Sequence, residues 1–168
     1  SRGLGDVYKR QDPSALETEL AQGDVALVSL MFVNNETGIV APVETYRSLC
    51  AEHGALFHTD AVQAAGHVAL GKHGKSFDML TLSAHKLGGP QGIGALILPG
   101  KIDMQAQITG GAQEKNRRAG TENVSGIVGF GVACELAKAA EKQTETALEG
   151  LLTKELKAAS LPTQIVGA

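Results

Sequence analysis

The chain has 168 residues, 43% of them hydrophobic, which is enough to build one domain with a buried core. Fifteen Lys and Arg against eighteen Asp and Glu give a net charge of −3 without a basic stripe, which disfavours nucleic-acid binding. No apolar run reaches the roughly 18 residues of a membrane span, and the two cysteines lack zinc spacing, so we expect a reduced, cytoplasmic protein.

The two ends of the chain read differently from its middle. Residues 1–11 begin without Met, show no hydrophobic periodicity and resemble the translation of a sequencing-library adapter, so we exclude them from the fold prediction. Residues 161–168 read as the start of a new strand. We therefore expect a piece of a longer protein that lacks both ends.

Strands and helices alternate between these ends, which predicts an α/β fold with a mostly parallel sheet flanked by helices. Residues 25–33 are almost continuously apolar, as expected for a central strand covered on both faces. Pro42 opens a helix that Gly54 ends, in the position where a left-handed residue is usual. The apolar face of this helix is predicted to carry Val43, Tyr46, Leu49 and Cys50.

Three further strands are predicted at 55–59, 79–83 and 93–98. Only a short glycine-rich turn separates the last two, so the final strand is expected to be antiparallel or at the sheet edge. A long helical stretch follows over residues 123–159. It is predicted to be broken or eased near Gly126, Gly129 and Gly131 and to carry a stripe of Leu148, Leu151, Leu152 and Leu156.

Polar residues follow three of the predicted strands. Asn34 and Asn35 come after the first, Asp60 after the second and Lys86 after the third. Open α/β sheets bind ligands at the carboxyl ends of their strands, so we expect these residues to share a site. Taken singly, each has a plainer interpretation: a turn for the asparagines, a helix cap for Asp60 and a solvated surface position for Lys86.

A lysine and a carboxylate at neighbouring strand ends have a specific chemical use. A lysine amine condenses with an aldehyde cofactor, and a carboxylate holds a protonated pyridine nitrogen, which are the two groups a pyridoxal phosphate site requires. A competing hypothesis is a zinc hydrolase, although no HExxH or paired HxH motif supports it. Its candidate ligands are His58, Asp60, His67, His73 and His85.

Four motif groups carry a resemblance to a known family. They are VNNETG (33–38), HTDAVQ (58–63), SAHK (83–86) with GPQGIG (89–94), and GGAQE (110–114) with RAGTEN (118–123). In order and spacing they resemble the cysteine desulfurases of the nitrogen-fixation and housekeeping branch, within the class V aminotransferase family of fold-type-I pyridoxal phosphate enzymes. The resemblance implies that residues 12–160 form the central part of the cofactor-binding large domain, with a long helix leading to a small domain that begins at 161–168.

The resemblance also implies a role for each matching residue. Lys86 holds the cofactor and moves the Cα proton of the substrate, and Asp60 pairs with the pyridinium nitrogen. The other implied cofactor contacts are Asn35 and Gln63 with the phenolic oxygen, Val62 with a ring face, Ser83 and His85 with the phosphate, and Thr121 with the phosphate of the partner subunit in a homodimer.

The implied reaction converts L-cysteine to L-alanine and leaves the sulfur as a persulfide on an enzyme cysteine, for a sulfur acceptor or scaffold protein of iron–sulfur assembly. That cysteine and the substrate-binding arginine are expected beyond Ala168, so the 168-residue chain alone is expected to be inactive. Cys50 and Cys134 do not match the nucleophile and are predicted to be helix-core thiols. A selenocysteine lyase or another class V aminotransferase is the alternative, because either would keep Lys86 and Asp60.

Overall fold

The computed structural model describes residues 12–74, 76–100 and 102–140, together with residues 154, 155 and 158. The helices in this part of the chain are α1 (Pro13–Ala21), α2 (Val43–Glu52), α3 (Gln113–Asn116) and α4 (Val124–Ala140). The strands are β1 (Leu27–Met31), β2 (Leu56–Asp60), β3 (Met79–Ser83) and β4 (Gly94–Ile97), and short 3₁₀ turns occupy Leu70–His73 and Ala84–Leu87.

The strands of the described residues form one sheet in the order β1-β2-β3-β4. The first three are parallel, and β4 runs antiparallel to β3, as the short glycine-rich turn predicted. Met31, Asp60 and Thr81 are partners across the three parallel strands. The carboxyl ends of these strands therefore meet at one edge of the sheet.

The two faces of the sheet differ in burial because successive strand residues point to opposite sides. On β2, Phe57 and Thr59 are fully buried, whereas Leu56 is 38% exposed. We call the side of Phe57 and Thr59 the core face. The side of Leu56, His58 and Asp60 is the open face.

Helices α1 and α2 pack on the core face. Tyr46 of α2 is fully buried, with its ring centroid 6.3 Å from that of Phe57. The predicted apolar face of α2 is confirmed, since Val43, Tyr46 and Cys50 are buried and Leu49 packs against them. Gly54 has a φ of 71°, as the predicted helix end requires.

The prediction missed α1, although its N-terminal signature is present in the sequence. Asp12 caps the helix by accepting hydrogen bonds from the backbone N–H and hydroxyl of Ser14, each at 2.9 Å, and Pro13 occupies the first turn. Leu16 and Leu20 of α1 are buried in the same core as α2. The helix is short and has few apolar positions, so its periodicity is weak.

Asp78 ties α2 to the sheet. One carboxylate oxygen lies 2.9 Å from a guanidinium nitrogen of Arg47 on α2, and the other accepts the backbone N–H of Phe57 at 2.9 Å. Because both oxygens of Asp78 are used, the helix and the start of β3 are held in register with β2.

Several predicted boundaries need correction. The strand predicted at 55–59 begins and ends one residue later, so Asp60 is its last residue. Helix α4 passes without interruption through the three glycines at which a break was predicted. The leucine stripe at 148–156 and the ranges 1–11 and 161–168 lie outside the described residues. No helix in the described part of the chain has both the length and the apolar character needed to cross a bilayer.

Candidate active site

Asp60 lies at the edge of the sheet where the parallel strands end. Its backbone carbonyl accepts the N–H of Phe32 at 2.9 Å, and its side-chain Oδ1 accepts the N–H of Val62 at 2.9 Å. Residues 62–67 form turns, so the side chain of Asp60 stabilises a turn. The plainer interpretation, in which Asp60 caps a helix, is therefore wrong. Asp60 is half-buried, and no cation among the described residues forms an ion pair with it.

The two asparagines after β1 have different positions. Asn34 is a turn residue, whose side-chain oxygen accepts the N–H groups of Glu36 and Thr37 at 2.9 and 3.0 Å. The turn is closed by a bridge between Val33 and Val40. Asn35 is exposed at the tip of this turn. The hydrogen bonds of Asn34 confirm the turn interpretation for that residue.

Lys86 lies on the 3₁₀ turn Ala84–Leu87 that directly follows β3. Its side chain is exposed. Gly88 ends the turn with a φ of 76°, a conformation that glycine adopts without steric cost. The N–H of Gly89 returns to the carbonyl of Ala84 at 2.9 Å and closes the turn.

Helix α4 braces this turn from one side. A Cβ at Gly129 would lie 2.6 Å from Cγ of Pro90, so only glycine permits the helix to approach so closely. On the same helix, the Cβ of Ala133 would lie 3.0 Å from a Cβ at Gly89. The glycines that suggested a helix break thus allow α4 to pack against the segment that carries Lys86.

Ser83 and His85 form a hydrogen-bonded pair on either side of buried Ala84. The distance between Oγ of Ser83 and Nδ1 of His85 is 2.8 Å. Since Nδ1 is engaged, Nε2 of His85 is the nitrogen that remains available to a ligand. The structure thus brings two hydrogen-bonding side chains to the same edge as Asp60 and Lys86.

The remaining predicted site residues lie on two different segments of the chain. Val62 and Gln63 are half-buried in the turn after β2. Thr121 is exposed in the loop between α3 and α4, and no hydrogen bond within the described residues joins it to Asp60 or Lys86. The sheet edge alone does not bring Thr121 to the other residues.

A further polar pair on the open face was not predicted as a unit. Ser29 of β1 is the direct partner of His58 on β2, and its Oγ lies 2.7 Å from Nδ1 of the imidazole. Nε2 of His58 is buried and has no hydrogen-bond partner among the described residues. Burial lowers the pKa of His58, and the charge of Asp60 partly opposes that shift. The sequence signal was the spacing of two residues between His58 and Asp60.

The two cysteines lie on helices α2 and α4. Cys50 is fully buried in α2, and burial raises the pKa of its thiol. Cys134 is half-buried on α4, and burial also raises the pKa of its thiol. Burial thus favours the protonated form of both thiols, which is not the nucleophile. The predicted role as a helix-core thiol is confirmed for Cys50, whereas Cys134 is not part of the buried core.

The histidines and acids proposed for a zinc site are dispersed. His73 contacts Glu44 at the start of α2, on the other side of the sheet from His58. No group of three or more His, Cys, Asp or Glu side chains in the described ranges is placed to hold a metal ion.

The chain is similar in sequence to a known family and to its members. The model of the aminotransferase class-V family matches residues 5–163. A cysteine desulfurase of Cereibacter sphaeroides is 58% identical over 113 residues, which cover 67% of this chain and 29% of that protein. Cysteine desulfurase 2 of Trichormus variabilis is 48% identical over 155 residues, which cover 90% of this chain and 39% of that protein.

A solved structure shares the fold. The NifS-like protein of Rickettsia africae superposes with a TM-score of 0.82 and 34% identity, and the match covers 94% of this chain and 45% of that one. This likeness confirms the predicted α/β fold of the fold-type-I pyridoxal phosphate enzymes. The chain spans less than half the length of each of these three proteins.

Proposed function

Because the chain belongs to the class V aminotransferase family, we propose that it forms the cofactor-binding part of a pyridoxal phosphate-dependent cysteine desulfurase. The observation that carries the proposal is the combination at one sheet edge of Asp60 and Lys86. Asp60 is a half-buried carboxylate that no cation of the described residues pairs with, and Lys86 lies on a braced turn. The names of the relatives at 48–58% identity favour cysteine as substrate.

The residues present fit the cofactor. A half-buried carboxylate keeps its charge at low cost only when a cation faces it, and a protonated pyridine nitrogen is such a cation. A dianionic phosphate requires donors. When the hydroxyl of Ser83 donates to Nδ1 of His85, the Nε2–H of that ring is such a donor, and the hydroxyl of Ser83 becomes a second one when it turns from Nδ1 to the phosphate. We propose Asn35 and Gln63 as donors to the phenolic oxygen and Val62 as the contact with a ring face.

When bound, pyridoxal phosphate withdraws electrons from an amino acid and so weakens the bonds at its Cα and Cβ. The ε-amine of Lys86 binds the aldehyde carbon and carries the proton to and from Cα of the substrate. Asp60 holds the proton on the ring nitrogen, because a carboxylate stabilises the charged form of its partner. The turn braced by α4 fixes the position from which Lys86 acts.

The proposed overall reaction requires one protein thiol as the acceptor of the sulfur atom. The C–S bond of L-cysteine breaks and an S–S bond forms to an enzyme cysteine, which gives L-alanine and a persulfide without an external oxidant or reductant. We propose that the thiol belongs to a part of the protein other than the described residues, since Cys50 is buried and Cys134 is on α4. The persulfide would then supply a sulfur acceptor or scaffold protein of iron–sulfur assembly.

We further propose a cytoplasmic homodimer in which Thr121 reaches the phosphate held by the partner subunit. Its exposure in the loop before α4 supports that assignment. A selenocysteine lyase or another class V aminotransferase is the alternative, and the names of the relatives do not favour it.

The test is product analysis with the complete protein. With L-cysteine and pyridoxal phosphate, we expect equal amounts of alanine and protein-bound sulfur, and no alanine from the Lys86→Ala variant. Lys138→Ala, which removes an exposed lysine near the end of α4, is the matched control and should retain full activity. Alanine formation by Lys86→Ala at the rate of the control would contradict the proposal.

A further inference from the structure

The open face presents a half-buried histidine two residues before the proposed cofactor carboxylate. His58 and Asp60 are two residues apart on β2, so their side chains point to the same side of the sheet. Nδ1 of His58 is held by Ser29 at 2.7 Å, whereas Nε2 is buried and unpartnered within the described residues. None of the proposed contacts with the cofactor involves His58.

The charge state of His58 has a direct consequence for Asp60. An imidazolium at this position would be a cation close to the carboxylate and would compete for it with the protonated pyridine. A neutral imidazole leaves the full negative charge of Asp60 to the cofactor. The residues paired with His58 across the sheet are Ser29 and Met79, which carry no charge, so Asp60 is the charged group that acts on it.

We propose that His58, held by Ser29, is a positioning residue that stays neutral and thereby keeps the charge of Asp60 available to the ring nitrogen of the cofactor. This inference rests on the proposed function. The buried position of Nε2 disfavours protonation, because a second N–H there would lack an acceptor.

The test compares pyridoxal phosphate binding by the complete protein and its His58→Gln variant between pH 8 and pH 5.5. The measured quantity is the ratio of the two dissociation constants, wild type over variant. Titration of groups other than residue 58, including those of the cofactor, occurs in both proteins and cancels in this ratio. Glutamine keeps a polar side chain of similar reach but cannot become charged.

We expect the ratio to be smallest at pH 8 and to rise as the pH falls towards 5.5 and His58 of the cofactor-free protein begins to protonate, because protonated His58 then occupies Asp60 in the wild type alone. His53→Gln, the same change at an exposed position after α2, should give a flat ratio. A flat ratio for His58→Gln as well, over a pH range in which NMR shows the His58 ring of the cofactor-free protein becoming charged, would overturn the inference and make His58 a purely structural residue.

Two further measurements separate the possible failures. In the wild type, NMR titration of the His58 ring should show the neutral form at pH 7 and a lower midpoint once the cofactor is bound; a charged ring at pH 7 overturns the inference even if the variant does not fold. Asp60→Asn should weaken cofactor binding at every pH. Unchanged binding by Asp60→Asn would instead refute the proposed function.

Discussion

The two faces of strand β2 differ in burial and in the residue types that they carry. On the core face, Phe57 and Thr59 are fully buried beneath α1 and α2. On the open face, Leu56 is 38% exposed and is followed by His58 and Asp60, the polar residues of the candidate site. The strand alternation therefore separates the residues that stabilise the fold from those that carry chemistry, over only five positions.

This separation means that substitutions on the two faces should affect different measurements. Changes on the core face should alter the free energy of unfolding, whereas changes at the end of the open face should alter cofactor binding and turnover. Adjacent residues of one strand allow that comparison with little change of context.

The largest effect is expected at the end of the open face. Asp60→Asn removes a charge-assisted bond worth about 3 kcal/mol, so turnover should fall by about a hundredfold or more. Asparagine still accepts the N–H of Val62 through its side-chain oxygen, and the unfolding midpoint should therefore change little. Steady-state kinetics and urea denaturation of the same preparation measure both quantities.

Near-normal turnover in Asp60→Asn would show that Asp60 only stabilises the turn. A loss of turnover that follows a matching loss of stability would show that the two faces are not separable at this residue.

On the core face the expected effect is on stability and not on turnover. Phe57→Ala empties a fully buried position and should lower the free energy of unfolding by about 3–5 kcal/mol. Leu56→Ala, one residue earlier on the open face, should cost about 1 kcal/mol. Urea denaturation of the complete protein checks the difference, and equal losses would mean that other parts of the protein bury the open face as fully as the core.

Acidification provides a third and more modest comparison. The pKa of His58 is lower in the fold than in the unfolded chain because the ring is buried, so below about pH 6.5 the unfolded state binds the additional proton. The stabilising contribution of neutral His58 is therefore complete above that pH and is lost as the pH falls. The unfolding midpoint should decrease less between pH 7.5 and 5.5 in His58→Gln than in the wild type; identical decreases would contradict the assigned burial.

The smallest effects are expected at the cysteines. Cys50 is fully buried and Cys134 is half-buried, and the pKa of each thiol is raised. A thiol reagent should modify Cys134 slowly and Cys50 more slowly still, and Cys134→Ser should keep desulfurase activity within about twofold. Loss of alanine formation in Cys134→Ser would mean that this thiol takes part in sulfur transfer.

Much of this fold was predictable because its signals are local. The apolar run of β1, the face of α2 and the glycine after it each follow from hydrophobic periodicity or from backbone conformation. The same run was wrongly predicted to be a central strand, because β1 lies at the edge of the described sheet and Leu27 is 49% exposed. Residues 79–83 were predicted with the bounds that the structure gives. Asp60 and Lys86 were found because their residue types follow strands that had already been recognised.

Other features depend on contacts between distant segments, which a sequence pattern does not display. The glycines of α4 suggested a break, but at Gly129 the missing side chain admits Pro90. The Ser29 and His58 pair needs the register of β1 against β2, which the spacing of His58 and Asp60 within one strand does not reveal. The proposed contact of Thr121 with the phosphate of a second subunit likewise depends on the assembly of two chains, which strand order does not specify.

Reduction of the cofactor-loaded complete protein with borohydride, followed by peptide mapping, tests the central claim most directly. Borohydride fixes pyridoxal phosphate to the amine that holds it. We predict a single pyridoxyl-modified peptide that contains Ser83–Gly88, with the label on Lys86. A label on any other lysine would contradict the assignment of this sheet edge as the active site.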